Sequence, residues 1–164
     1  MSNDEVALAC LKVWSNLVST NSLRFFRPGQ YTILAGVVLS RHYEESADYN
    51  CIALGSGTKC LSQSQLPSDG SALHDSHAEI IARRGAILWI LKEIMENVNN
   101  SDHASPWLHR SLVDGRWRLK DHVKVSMYIS TLPCAFMRPS SVVIHTYDIP
   151  RRRCFDALPF FNPG

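Results

Sequence analysis

An α/β sandwich is the fold class this sequence predicts. Three observations carry that reading. Residues 76–97 form a long apolar helix, residues 122–130 alternate apolar and polar like a strand, and the elements run helix, strand, strand, helix, strand. The chain has 164 residues, 45% hydrophobic and 20% charged, an ordinary globular composition with enough apolar side chains for one core.

The elements follow in order. Residues 4–18 place Val6, Leu8, Ala9, Leu11, Val13, Trp14, Leu17 and Val18 at mostly helical spacing, with Asn3 or Asp4 available as cap. Pro28-Gly29 breaks the chain. Residues 31–40 and 51–54 are short apolar runs bounded by turn residues, so they read as strands. Tyr43 to Asn50 is the expected hairpin loop between them. The glycines of Gly55-Ser56-Gly57-Thr58 end the second strand and allow a sharp turn.

The helix over 76–97 has Asp75 or Ser76 as its expected cap. Glu79 lies in the first turn, where the macrodipole favours a negative charge. Apolar residues cover most of its circumference, which predicts a buried central helix. Residues 98–116 are polar, contain Pro106 and Gly115, and read as a loop. In the strand over 122–130, Val123, Val125, Met127 and Ile129 face the core while Lys124, Ser126 and Tyr128 face away.

Charge and cysteine usage narrow the function. A formal net charge of +2 is compatible with an RNA partner but is no strong basic footprint. No apolar run reaches the roughly 18 residues that span a bilayer. The early acids Asp4 and Glu5 argue against a secretory signal, so the expected location is cytoplasmic or nuclear. Five scattered cysteines (Cys10, Cys51, Cys60, Cys134, Cys154) suggest metal binding or burial rather than a disulfide framework.

The chemistry concentrates in Asp75-Ser76-His77-Ala78-Glu79 and in Pro133-Cys134. A histidine and a glutamate at a helix start, with a Pro-Cys after a strand, is how zinc deaminases of nucleic-acid bases build their site. Zinc takes nitrogen and sulfur ligands in tetrahedral array and leaves one position for water in a catalytic site. His77 and Cys134 are candidate ligands, and Glu79 is a candidate proton carrier beside the water. Each residue alone also has an ordinary reading: His77 as a hydrogen-bonded structural histidine, Glu79 as a first-turn acid, Cys134 as an inert buried thiol.

These residues, with two further blocks, resemble the adenosine deaminase domain shared by double-stranded-RNA editing deaminases and by the tRNA deaminase acting next to the alanine anticodon. Leu54-Gly55-Ser56-Gly57-Thr58-Lys59-Cys60 resembles the family's Gly-Thr-Gly-Thr-Lys-Cys run. Leu73 to Arg84 resembles its Asn-Asp-(Cys/Ser)-His-Ala-Glu block and the Arg-Arg that follows. Arg118-Leu119-Lys120 leading to Tyr128 through Cys134 resembles the strand before its Pro-Cys-Gly-Asp. The resemblance covers about residues 5 to 134 and favours the tRNA enzymes, because the first helix starts near residue 4.

The resemblance implies a cytidine-deaminase-like sandwich, cut short in its C-terminal half. It implies Zn2+ on His77 and Cys134, with Glu79 as the proton shuttle. It places Thr58 and Lys59 at the target nucleotide and its phosphates. It makes Arg83 and Arg84 ligands of inositol hexakisphosphate, and Asp75 the link between that polyphosphate and the metal site. The implied reaction is hydrolytic: adenosine in RNA and water give inosine and ammonia, with RNA, most of all tRNA, as partner.

The chain departs from the family at two places. His74 stands where asparagine is usual. After Cys134 the chain reads Ala135-Phe136-Met137-Arg138-Pro139 instead of Gly-Asp and a helix, and no Cys-x-x-Cys follows. Pro139 and the β-branched run Val142-Val143-Ile144 do not support a second helix there. Cys154, after Arg151-Arg152-Arg153, is the only later cysteine. The expected organisation is therefore a deaminase segment over 1–134 and a divergent tail over 135–164. The alternative function is a catalytically inactive, deaminase-fold RNA-binding or interaction protein.

Overall fold

The computed structural model describes residues 3–20, 32–43, 46–60, 67–69, 75–100, 104–131 and 147–148. The chain begins with helix α1 (Asn3–Ser19), followed by strands β1 (Leu34–His42), β2 (Ala47–Ser56), β3 (Thr58–Cys60) and β4 (Asp75–His77). Helix α2 (Ala78–Asn99) follows, then β5 (Leu108–Arg110), β6 (Trp117–Leu119), β7 (Val123–Ile129) and β8 (Tyr147–Asp148). The main sheet has the order β2-β1-β7-β8, and each neighbouring pair is antiparallel.

Side chains alternate across β1, and that alternation makes the sandwich. Ala35, Val37 and Leu39 point to one face, where they pack with Ala78, Ala82, Ala86 and Ile94 of α2. Leu34 and Val38 point to the other face, where Val6, Ala7 and Cys10 of α1 cover them. Leu39 and Val38 are fully buried. Truncating a leucine at such a site costs on the order of 2–5 kcal/mol. The mixed α/β fold with helices on both sides of an antiparallel sheet agrees with the fold class read from the sequence.

Five details differ from the sequence reading. The hairpin between β1 and β2 is much tighter than Tyr43 to Asn50, because Ala47 to Asn50 pair with Leu39 to His42. This stretch is polar since β2 lies at the sheet edge, where no apolar alternation is required. Helix α2 is not buried all round: Leu88 is 56% and Met95 60% exposed, and the buried positions form an alanine stripe. The cap is His77 in extended conformation, without a side-chain cap bond, because Asp75 and Ser76 belong to β4.

Residues 98–116 are not all loop. Leu108–Arg110 pairs with Trp117–Leu119 in a second small hairpin. Ser105 docks it: its Oγ donates to Glu93 Oε1 at 2.6 Å and accepts from the N–H groups of Trp107 and Leu108 at 3.2 Å. Finally, β7 is covered on both faces, with Ser126 and Tyr128 buried toward α1. Tyr147–Asp148, in the segment whose structure the sequence left open, pairs with Ser126 and Met127.

Candidate active site at the start of helix α2

Two glycines bring the site together. A Cβ on Gly55 would collide with the backbone of Ala78 and Ala82, so the first turn of α2 rests directly on the end of β2. A Cβ on Gly57 would collide with the Ser76 carbonyl, so the strand turning out of β2 lies flat against β4. The Ala78 N–H donates to the Gly57 carbonyl at 3.2 Å, satisfying a helix-start donor in place of a side-chain cap. The sequence reading saw in this run only a strand end and a turn. The small-residue pair at 55 and 57 was the available signal for close backbone approach.

Strand β3 then pairs with β4 so that Thr58 lies opposite His77, Lys59 opposite Ser76 and Cys60 opposite Asp75. Thr58 is exposed beside the histidine. Only the backbone position of Lys59 is described.

His77 is held by Asp75. The Oδ1 of Asp75 accepts from the His77 backbone N–H at 3.0 Å and lies 2.8 Å from ring Nδ1. An ionised carboxylate only accepts, so Nδ1 carries the proton. In the neutral ring the Nε2 lone pair is then left for a ligand. Both side chains are partly exposed, so Nε2 can be reached. A carboxylate on the distal ring nitrogen is the usual support of a metal-binding histidine. His77 therefore fits as a zinc ligand by its chemistry and its orientation.

Glu79 lies in the first turn of α2, half-buried. Its carboxylate makes no hydrogen bond or ion pair among the described residues, and it lies two positions along the chain from His77. Arg83 and Arg84 follow on the same helix, both exposed. Arg84 Nη1 donates to the Asp75 carbonyl at 3.3 Å and so helps hold β4 against the helix.

The structure thus brings Asp75, His77, Glu79, Thr58 and the backbone of Lys59 to one corner. Cys134 and Cys154 lie outside the described residues. Among the described residues no three His, Cys, Asp or Glu side chains cluster as a complete metal site.

The comparisons with known proteins agree with this corner. The model of the adenosine-deaminase (editase) domain matches residues 53–146. The chain is 33% identical over 135 residues to the tRNA-specific adenosine deaminase 1 of Saccharomyces cerevisiae, covering 80% of this chain and 33% of that protein. It is 32% identical over 130 residues to the Drosophila melanogaster protein of the same name, covering 79% of this chain and 30% of the relative. It is 28% identical over 121 residues to the double-stranded RNA-specific editase B2 of Mus musculus, covering 73% of this chain and 16% of the relative. The chain thus spans about a third of the tRNA-specific relatives' length and about a sixth of the mouse editase. From β2, through the glycine turn and the His77–Glu79 corner, to β7 and beyond, the chain belongs to the adenosine-deaminase (editase) domain family.

Proposed function

We propose that this chain carries the histidine–glutamate part of a hydrolytic RNA adenosine deaminase, converting adenosine to inosine in tRNA. The observation that carries the reading is the pairing of an Asp75-oriented imidazole with a glutamate two residues on, at a helix start. The choice of tRNA rests on the sequence resemblance, since the tRNA-specific relatives match at 28–33% identity and the double-stranded-RNA enzymes at 27–31%.

His77, with Cys134 from beyond the described residues, would hold Zn2+. When bound, the metal supplies a strongly polarised water at the helix start. Asp75 keeps the imidazole in the ligating tautomer. Glu79 would take one proton from the attacking water and give it to the adenine ring nitrogen, then take the second proton from the new C6 hydroxyl and give it to the amine, which leaves as ammonia as the C–N bond breaks. Thr58, exposed and opposite His77, and Lys59, next along β3, are the residues proposed, from the resemblance, to meet the flipped nucleotide and its phosphate. Arg83 and Arg84 are the residues proposed to meet inositol hexakisphosphate, on the resemblance alone. A tRNA substrate corresponds to a cytoplasmic or nuclear location.

The test is nucleoside analysis of tRNA and of long duplex RNA after incubation with the chain and with Glu79→Gln. The reading expects inosine in tRNA, none in the duplex, and none with the variant. A second reading, an inactive RNA-binding segment of the same fold, is motivated by Pro133-Cys134 not continuing into a Cys-x-x-Cys. It expects tRNA binding that Glu79→Gln leaves unchanged and no inosine in either RNA.

A further inference from the structure

Cys10 and Cys51 take no part in the site at α2. They meet on the opposite face of the main sheet, under α1. Their Sγ atoms lie 3.8 Å apart, and both are free thiols.

Two features of the fold bring them together. The first is a bulge. The β1–β2 register shifts between Val37 and Val38, so Val37 faces Ala53 while Val38 faces Cys51, and Ile52 is the extra residue. Ala53 and Ile52 both pack on the α2 side, whereas Cys51 packs with the α1 cluster. Without the extra residue, Cys51 would share the face of Ala53. The bulge therefore turns Cys51 toward α1. The second feature is Gly36: a Cβ there would collide with Cys10 Sγ, so the thiol of Cys10 sits over bare backbone.

The two thiols are chemically unequal. Cys10 is fully buried, while Cys51 is only partly so. The hydrogen bond between the two sulfurs lowers the Cys51 thiol below its ordinary range. The same hydrogen bond, with burial, raises Cys10. Cys51 is thus the thiol that ionises and meets oxidant first, and Cys10 is the partner beside it.

We propose that Cys10 and Cys51 form a reversible oxidation site that closes an intrachain disulfide between α1 and β2 when the chain meets a peroxide. The Cys51 thiolate attacks a peroxide oxygen, the O–O bond breaks, and Cys51 becomes a sulfenic acid with release of hydroxide or alkoxide. The sulfur of Cys10 then attacks the sulfenic sulfur, the S–O bond breaks, and the Cys10 proton leaves with the hydroxyl as water. Two thiols are oxidised by two electrons, and one peroxide is reduced. The sulfurs must close from 3.8 Å to about 2.0 Å. The bond would tie α1 to the edge strand of the main sheet.

The test treats the 1–164 chain with hydrogen peroxide, blocks remaining thiols with a maleimide, digests it and maps the peptides by mass spectrometry. The expected result is one peptide pair joined through Cys10 and Cys51, with loss of the maleimide label at both and its return after dithiothreitol. Cys51→Ser is expected to abolish the pair and leave Cys10 labelled once the digest is unfolded. This variant sits at a part-exposed position, so the test does not depend on a Cys10 variant folding. Full labelling of both cysteines, or either of them joined to Cys60, Cys134 or Cys154 instead, overturns the proposal.

Discussion

Asp75 Oδ1 touches His77 twice, at 3.0 Å from the backbone nitrogen and 2.8 Å from ring Nδ1. One carboxylate oxygen thus fixes both the turn of the chain into α2 and the rotation of the imidazole. The bond to Nδ1 leaves Nε2 as the ring nitrogen free of Asp75. Asp75→Asn keeps the size but replaces a charged acceptor with a neutral amide. It is expected to weaken zinc retention roughly 10–100-fold, the usual cost of losing a metal ligand's supporting carboxylate. Competition with a zinc chelator measures it, and unchanged retention would remove Asp75 from the account.

Gly55→Ala tests the packing that seats the helix start. The added Cβ would meet the Ala78 carbonyl and the Ala82 nitrogen, both backbone atoms that cannot rotate away. A loss of about 1–3 kcal/mol in urea unfolding is expected, the usual cost of overpacking. Since α2 must shift to relieve the clash, zinc retention should fall with it. A variant as stable as the wild type would show that α2 does not rest on β2.

Ser105→Ala tests how the β5–β6 hairpin is docked. Ser105 is buried, donates to Glu93 and accepts from two backbone N–H groups. The alanine would leave those buried donors without their hydroxyl acceptor. A loss of about 1–3 kcal/mol is expected, read by thermal or urea unfolding. The site at the other end of α2 should keep its zinc retention.

Asp114 gives the hairpin a pH dependence. The hydrogen bond from Arg118, with bonds from Ser111 and the Arg116 backbone N–H, pulls its carboxyl down to about 2. A carboxyl held lower in the folded state stabilises the fold above its unfolded value near 4. That contribution is lost as pH falls from about 4 through about 2. The group is fully exposed, so the effect is local and small. Hydrogen exchange at the Gly115 and Arg116 amides should rise relative to Asp114→Asn as pH drops through that window. Parallel behaviour of the two chains would contradict the assignment.

Strong periodicity and unusual residue pairs were readable from the sequence, while edges and partial burial were not. Val123, Val125 and Ile129 announced β7 because a buried sheet face demands alternation. The block from Asp75 to Glu79 marked a candidate site because it combines a histidine and a glutamate at a helix start with the match to the deaminase family. Ala47 to Asn50 looked like a loop because an edge strand can be polar and still pair through its backbone. Leu108 to Arg110 and Trp117 to Leu119 are strands of three residues, too short for any period to show. Helix α2 looked buried all round because Leu88 and Met95 are apolar, yet both are exposed, and the face on the sheet is built from Ala78, Ala82, Ala86 and Ile94. Asp75 looked like a helix cap, and its carboxylate instead holds the histidine that follows.

The central claim is that His77, oriented by Asp75, is a zinc ligand of a deaminase site in which Glu79 moves protons without binding the metal. Elemental analysis of the purified 1–164 chain, beside His77→Ala and Glu79→Gln, tests it most directly. The account predicts one zinc per chain in the wild type and in Glu79→Gln, and none in His77→Ala. A folded wild-type chain without zinc, or a His77→Ala chain that keeps it, would contradict the account.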